Sequence, residues 1–257
     1  MRTSRVYEGD EGVSTVNALW VVLPAYNEAA GLGATLSALE AQSDTDFTLC
    51  VVDNASTDDT ARIAEQFAGR APFRVVVLDE PMKGVGSAVD TGFRRAITEG
   101  AAWLARTDAD TIPDPDWIRQ VKSALCSGTE LAVGSMRARP DQTGVLGRIG
   151  FRIAVVVAAS FGRLRPEHRG QGTARYVMHA GFNMAVTAEL YVRSGGMPRR
   201  PSPTDRTFMN RVRAVGGIVR RHRSMRAATS LRRFDALGVV GTAHWYLDRG
   251  AHTEDPR

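Results

Sequence analysis

The sequence predicts a single α/β domain in which a mostly parallel β-sheet is flanked by helices. In the first half, short β-rich apolar runs alternate with longer segments of helical periodicity, a pattern typical of βα units. Polar or charged residues follow these runs directly, at the strand ends where such sheets bind ligands. At 257 residues the chain is long enough for one sizeable domain and short for two.

Four strands and three helices are expected in the first half. The predicted strands cover 19–23, 48–52, 74–78 and 102–107. The predicted helices cover 29–41, a segment that begins after 56–59, and 85–99. Ser56 and Asp59 have the spacing of a capping box, so we expect them to satisfy free N–H groups at the start of the second helix.

The second half is less regular. Helices are expected over 116–127, 187–194 and 204–215, and strands over 131–134, 181–186 and 218–222. The segment 144–164 mixes apolar and basic residues, which is typical of an amphipathic helix that either packs on the sheet or lies on a membrane surface. Residues 1–16 are polar, carry charges of both signs and are expected to form a flexible tail.

Composition is that of a globular protein, with 43% apolar and 24% charged residues. The longest apolar run, 153–161, is too short to span a bilayer. Cys50 and Cys126 are too few for a disulfide framework. A cytoplasmic protein is therefore expected, either free or peripheral to the inner face of the membrane.

Charge is divided unevenly along the chain. Residues 1–136 hold 11 Lys/Arg against 20 Asp/Glu, and residues 137–257 hold 22 against 8. The basic residues of the second half are all arginine, which suits bidentate recognition of phosphates or carboxylates. An anionic partner is expected, although a solvated basic face would look the same. Nucleic acid is not expected, because the arginines lack interleaved aromatic residues.

Two carboxylates, Asp108 and Asp110, directly follow the fourth predicted strand. Carboxylates at this spacing on a turn are suited to share Mg²⁺ or Mn²⁺ with a diphosphate. The alternative is a pair that only stabilises the turn.

Asp53 at the end of the second strand would either bind a nucleoside or cap the next helix. The first loop, 24–28, contains no glycine, which excludes a dinucleotide-binding dehydrogenase.

Several of these segments together resemble the family 2 glycosyltransferases, which have the GT-A fold, a Rossmann-like arrangement. The resemblance covers about residues 19–235. Its motifs are Val22-Leu-Pro-Ala-Tyr-Asn-Glu28, Val51-Val-Asp-Asn-Ala-Ser-Thr-Asp-Asp59, Lys83-Gly84, Asp108-Ala-Asp110, Gly181-Phe-Asn-Met-Ala-Val186 and Gly195-Gly-Met197.

The resemblance implies a hexosyl- or N-acetylhexosaminyl-transferase that takes a nucleotide-diphosphate sugar and a divalent metal, Mn²⁺ or Mg²⁺. It assigns 17–136 to the nucleotide sugar and 137–257 to the acceptor, within one domain. Asp108 would meet ribose or metal, and Asp110 would be the principal metal ligand. The remaining residues expected at the nucleotide sugar are Pro24, Ala25, Glu28, Asp53 and Lys83, and a Ser-x-Arg-Arg segment adds Arg232 and Arg233.

The family's catalytic base normally lies in a Glu-Asp pair after the Gly-Gly loop. Here that pair reads Thr204-Asp205, so the resemblance implies that Asp205 is the base of an inverting transfer. The base would take the acceptor proton while the metal stabilises the departing diphosphate. The acceptor is not identified and would be lipid-linked or anionic.

Two other classes of protein are alternatives to a glycosyltransferase. A nucleotidyltransferase usually needs a glycine-rich basic loop after the first strand, and 24–28 is not such a loop. A catalytically inactive protein of the same fold would bind a nucleotide sugar or another anion without turnover, because a fold does not guarantee a function.

Overall fold

The computed structural model describes residues 5–7, 18–139, 141, 144, 147, 150, 181–199 and 204–230. Within them, one sheet of nine strands has the order β1-β4-β3-β2-β5-β8-β7-β9-β6. Its strands are β1 Arg5–Tyr7, β2 Leu19–Ala25, β3 Thr48–Asp53, β4 Val75–Asp79, β5 Trp103–Arg106, β6 Thr111–Pro113, β7 Leu131–Ala138, β8 Met184–Thr187 and β9 Val219–Thr229.

Helices cover both faces of this sheet. They are α1 Leu32–Glu40, α2 Thr60–Ala68, α3 Val85–Thr98, α4 Trp117–Cys126, α5 Ala188–Arg193 and α6 Thr204–Ala214. The first, second and fourth helices pack with one hydrophobic cluster, and the other three pack with a second. Strand β2 contributes to both, since Leu19, Val21 and Leu23 face the first cluster while Trp20 and Val22 face the second.

The parallel part of the sheet, β4-β3-β2-β5, confirms the four strands predicted from the apolar runs. Every residue of β2 is buried, which is the rule for a parallel strand with helices on both faces. Because Ala25 lies opposite Asp53 in the register, the loops after β2 and β3 leave the sheet side by side.

The remainder of the sheet is mixed. Strand β8 pairs antiparallel with β5, and through it the sheet continues to β7, β9 and β6. The three residues of β6 were not predicted. Strand β9 is longer than the predicted 218–222, and its arginine-rich first part, Arg220 to Arg223, is mostly exposed, which hides the alternation that marks a strand.

Two expectations are corrected. Residues 5–7, within the expected flexible tail, form β1 and pair with β4. The predicted capping box of Ser56 and Asp59 does not form, because the Asp59 carboxylate accepts hydrogen bonds from Arg62 and the first amide of α2, that of Thr60, donates to Asp58 at 3.0 Å. The expected helix 144–164 lies outside the described residues except for three glycines. Among the helices that the structure describes, none is long and apolar enough to span a bilayer.

Candidate active site

The loop after β2 is fastened to the loop after β3 by side chains. Ser56 accepts a hydrogen bond from the amide of Asn27 at 3.0 Å, and Asp58 accepts one from the amide of Ala29 at 3.0 Å. Asn27 in turn accepts a bond from the amide of Thr57 at 2.8 Å and has a φ of 49°, in the left-handed region that asparagine tolerates. Ser56, which was expected to cap a helix, therefore helps to join two loops of the site.

Glu28 and Asp53 are both largely buried at this edge of the sheet, with 6% and 8% of their surface exposed. The amide of Glu28 donates to the hydroxyl of Thr60 at 2.8 Å. Burial raises the pKa of Asp53, although hydrogen bonds from Ser56 partly offset the rise. Its Oδ1 is buried without a hydrogen-bond partner among the described residues.

Lys83 reaches the same edge from the loop after β4. Its Nζ donates to the hydroxyl of Tyr26 at 3.1 Å, which places its charge beside the loop that follows Pro24 and Ala25. The side chain of Asn54 braces this loop, accepting a bond from the amide of Gly84 at 2.8 Å. Tyr26 was not singled out from the sequence.

The carboxylate turn that follows β5 is held from two sides. The amide of Thr111 donates to the carbonyl of Asp108 at 3.0 Å, and the hydroxyl of Thr35 in α1 donates to the carbonyl of Ala109 at 2.8 Å. The Thr111 hydroxyl also donates to Oδ1 of Asp110 at 3.2 Å. The turn is thus a fixed part of the sheet edge.

Arg106, the last residue of β5, contacts both of the carboxylates that the sequence pointed to separately. Its Nε and Nη2 donate to Asp108 at 2.8 and 3.2 Å, and its Nη1 donates to Asp205 at 2.8 Å. Burial lowers the pKa of Arg106, but the two carboxylates outweigh burial and raise it above its ordinary value. Its guanidinium therefore stays charged.

Asp205 lies in the first turn of α6 and approaches the backbone of Gly181 closely. A Cβ at Gly181 would lie 2.1 Å from Oδ2 of Asp205, so any side chain there would displace the Asp205 carboxylate. Thr204, which stands where the family pattern has glutamate, is 4% exposed. Its methyl group would lie 2.5 Å from a Cβ at Gly86 in α3, so it is a packing residue.

A network of polar side chains, buried except for Arg199, holds the Gly-Gly-Met loop near α6. Arg199 donates to Glu80 at 2.7 Å and to Asp90 at 3.4 Å. The hydroxyl of Tyr191 donates to Asp90 at 2.8 Å and accepts from the amide of Met197 at 2.9 Å. None of these four side chains was predicted, since their pairing depends on contacts distant in the sequence.

The structure therefore brings most of the predicted site residues to one edge of the sheet. These are Pro24, Ala25, Glu28, Asp53, Lys83, Asp108, Asp110 and Asp205. Arg232 and Arg233 lie outside the described residues. Over the described part of the chain, no three His, Cys, Asp or Glu side chains are grouped as a ready-made metal site.

Comparison with known proteins places this geometry in a family. An uncharacterised glycosyltransferase of Mycobacterium tuberculosis is 36% identical over 153 residues, which are 60% of this chain and 62% of that protein. Polyprenol monophosphomannose synthase of Mycolicibacterium smegmatis is 31% identical over 116 residues, 45% and 43% of the two chains. The chain thus spans less than two thirds of either relative.

Among solved structures, a mannosyltransferase from Pyrobaculum calidifontis in complex with GDP-Man and Mn²⁺ superposes with a TM-score of 0.64 at 19% identity. The match covers 96% of this chain and 68% of that one. The expected GT-A fold is confirmed. The model of Glycosyl transferase family 2 matches residues 20–184, more than half of the chain. The chain belongs to glycosyl transferase family 2.

Proposed function

We propose that the protein transfers a sugar from a nucleotide-diphosphate sugar to an acceptor hydroxyl with inversion at the anomeric carbon. The observation that carries the proposal is the meeting of three elements at one edge of the sheet. Asp53 ends β3, the turn with Asp108 and Asp110 follows β5, and Asp205 approaches that turn through Arg106. Ligands of open α/β sheets bind at this edge.

Asp53 is the proposed contact to the nucleoside. Its Oδ1 is buried and has no donor among the described residues, and a buried acceptor left without a donor costs about 1–3 kcal/mol. An N–H of a base or a hydroxyl of ribose would satisfy it. Lys83 and Glu28 border the same space and would contact the nucleotide along with the backbone at Pro24 and Ala25.

The residues at the carboxylate turn fit a divalent cation. Asp110 and Asp108 offer only oxygen ligands, which Mn²⁺ and Mg²⁺ accept readily, and such ions usually complete their shell with substrate phosphates and water. Asp110 is the proposed principal ligand, as the family resemblance implies, and Asp108, whose carboxylate accepts two hydrogen bonds from Arg106, is the proposed second ligand. A bound cation would stabilise the charge that develops on the departing diphosphate.

Asp205 is the proposed general base. The acceptor O–H gives its proton to the Asp205 carboxylate while its oxygen forms a bond to the anomeric carbon. On the opposite face, the bond between that carbon and the diphosphate oxygen breaks, and its electron pair leaves with the nucleoside diphosphate. Because Oδ1 of Asp205 accepts from Arg106, we assign the acceptor proton to Oδ2.

An anionic acceptor, with a lipid-linked phosphate as the leading candidate, is the proposed second substrate. Two observations support it. The half expected to bind the acceptor, 137–257, holds 22 Arg against 8 Asp/Glu, and one relative is a polyprenol monophosphomannose synthase. A lipid-linked acceptor would bring the protein to a membrane surface.

Donor binding and turnover across UDP-, GDP- and dTDP-sugars, with and without Mn²⁺, test this function. The wild type should bind one nucleotide class in a metal-dependent manner and hydrolyse or transfer its sugar. Asp110→Ala should lose the metal dependence. Asp46→Ala is the matched control, because the Asp46 side chain is 81% exposed, pairs with Lys122 and precedes β3 at the end of that strand opposite Asp53.

The outcomes separate the alternatives. Metal-dependent turnover that the Asp110 variant loses supports the transferase. Binding without turnover would point to a catalytically inactive protein of the same fold. Binding of none of the nucleotides would refute the donor site itself.

A further inference from the structure

Arg106 joins carboxylates that belong to two different parts of the proposed reaction. Its guanidinium donates twice to Asp108, beside the donor, and once to Asp205, on the acceptor side. Asp205 lies 99 residues after Arg106 in the chain, so the guanidinium links elements that are distant in the sequence. The Arg106 side chain is 3% exposed, against 16% for Asp108 and 33% for Asp205.

This arrangement fixes the geometry of the three groups. A buried charge is strongly unfavourable unless it is paired and hydrogen-bonded. The buried Arg106 guanidinium therefore favours conformations in which Asp108 and Asp205 both stay in hydrogen-bond contact with it. The guanidinium is planar and presents its N–H groups at fixed angles, whereas a lysine ammonium acts as a flexible point charge. The distance between the donor turn and the α6 carboxylate is therefore set by one rigid group.

We propose that Arg106 is the positioning residue of this site, holding Asp205 in register with the carboxylate turn so that base and donor form one rigid unit. The inference rests on the proposed function, since it takes Asp205 as the base. Arg106 acts through Asp205 and Asp108 and need not contact either substrate. A residue of this kind affects the reacting geometry more than the affinity for nucleotide.

Charge-conserving substitution tests the role in catalysis. With the nucleotide sugar that the wild type turns over fastest, Arg106→Lys should lower kcat about 30- to 100-fold, since small misplacements of reacting groups have effects of this size. The Kd for UDP or GDP should change less than about threefold, because a residue that positions only the reacting groups affects kcat and not the binding of nucleotide in the ground state. Millimolar guanidinium should restore part of the kcat of Arg106→Gly.

Arg193→Lys is the matched control. Arg193 also bridges two carboxylates, Glu130 at 2.6 Å and Glu189 at 3.2 Å, but it ends α5, which follows β8 at the opposite end of the sheet from Arg106. This control should keep wild-type kcat. An Arg106→Lys variant with wild-type kcat, or one whose loss of kcat is matched by an equal loss of nucleotide affinity, would overturn the proposal.

A second measurement does not depend on activity. Urea unfolding midpoints are compared for Arg106→Met, Asp205→Asn and the double variant. If Arg106 and Asp205 interact as the structure indicates, the unfolding midpoint of the double variant should fall by less than the sum of the decreases in the two single variants. Additive losses would overturn the inference even if the enzyme is active. A wild type that turns over no nucleotide sugar would refute the proposed function. The comparison of single and double variants in urea would then decide separately whether Arg106 links β5 to α6.

Discussion

Replacing Gly181 with alanine is expected to displace the proposed base while leaving the fold intact. The added methyl carbon would lie 2.1 Å from Oδ2, 2.5 Å from Cγ and 2.6 Å from Oδ1 of Asp205. Since real contacts of this kind are essentially never under 3.0 Å, the carboxylate must move by about 1 Å. Asp205 is a flexible side chain that is 33% exposed, so it can move outward without a large loss of stability.

That movement separates Asp205 from Arg106, to which it is bound at 2.8 Å. A misplacement of about 1 Å in reacting groups lowers rates by roughly 100-fold, so kcat for transfer should fall by about that factor. Nucleotide affinity should stay near the wild-type value, because Asp53 and Lys83 lie in other loops. Steady-state kinetics and calorimetric titration with UDP or GDP measure the two quantities.

Gly33→Ala provides the control for glycine replacement. A Cβ at Gly33 meets nothing within 4 Å, and in the helix α1 an alanine should stabilise the protein by about 0.5–1 kcal/mol. Its kcat should equal that of the wild type. Wild-type kcat in Gly181→Ala would refute either the contact with Asp205 or the role of Asp205 as the base.

Two further predictions concern stability. Asn183→Ala should lower the free energy of unfolding by about 2–4 kcal/mol in urea titrations, because Asn183 accepts from Trp117 Nε1 and donates to the carbonyls of Ser135 and Met225. Burial raises the pKa of Glu99, but hydrogen bonds from two arginines outweigh it and lower the pKa below its ordinary value. The resulting stability is present above about pH 4.3, the pKa expected in the unfolded chain, and is lost as pH falls. Glu99→Gln should therefore lose less stability than the wild type between about pH 6 and pH 3. An equal loss in the two proteins would contradict the lowered pKa of Glu99.

The strands that were predicted well are those that are buried on both faces. Runs such as 19–23 and 48–52 are continuous in apolar residues because helices cover both sides of β2 and β3, and such runs are visible in the sequence alone. The three-residue β6 has no periodicity to detect. The exposed arginines of β9, such as Arg221, gave no sign that the strand continues to Thr229.

Asp53, Asp108 and Asp110 could be predicted because each one stands at or just after the end of an apolar run, whereas Asp205 was assigned through the family resemblance. Their mutual contacts could not, since they depend on which elements the chain brings together over long separations. The one sequence signal for Arg106 is a charged residue directly after the apolar run 102–105 in a predicted strand, because a charge in a buried strand requires partners. That signal predicts a buried ion pair without identifying Asp108 or Asp205.

The pairing of strand β5 explains why its last residue, Arg106, can contact two carboxylates of the site. The strand pairs parallel with β2 on one side and antiparallel with β8 on the other, so the sheet changes from parallel to antiparallel pairing at this strand. The parallel edge adjoins the loops with Asp53 and Lys83, and the antiparallel edge adjoins the segment with Gly181, against which Asp205 lies. A side chain at the end of β5 stands between the two edges, and Arg106 has donors enough for both Asp108, in the turn after β5, and Asp205.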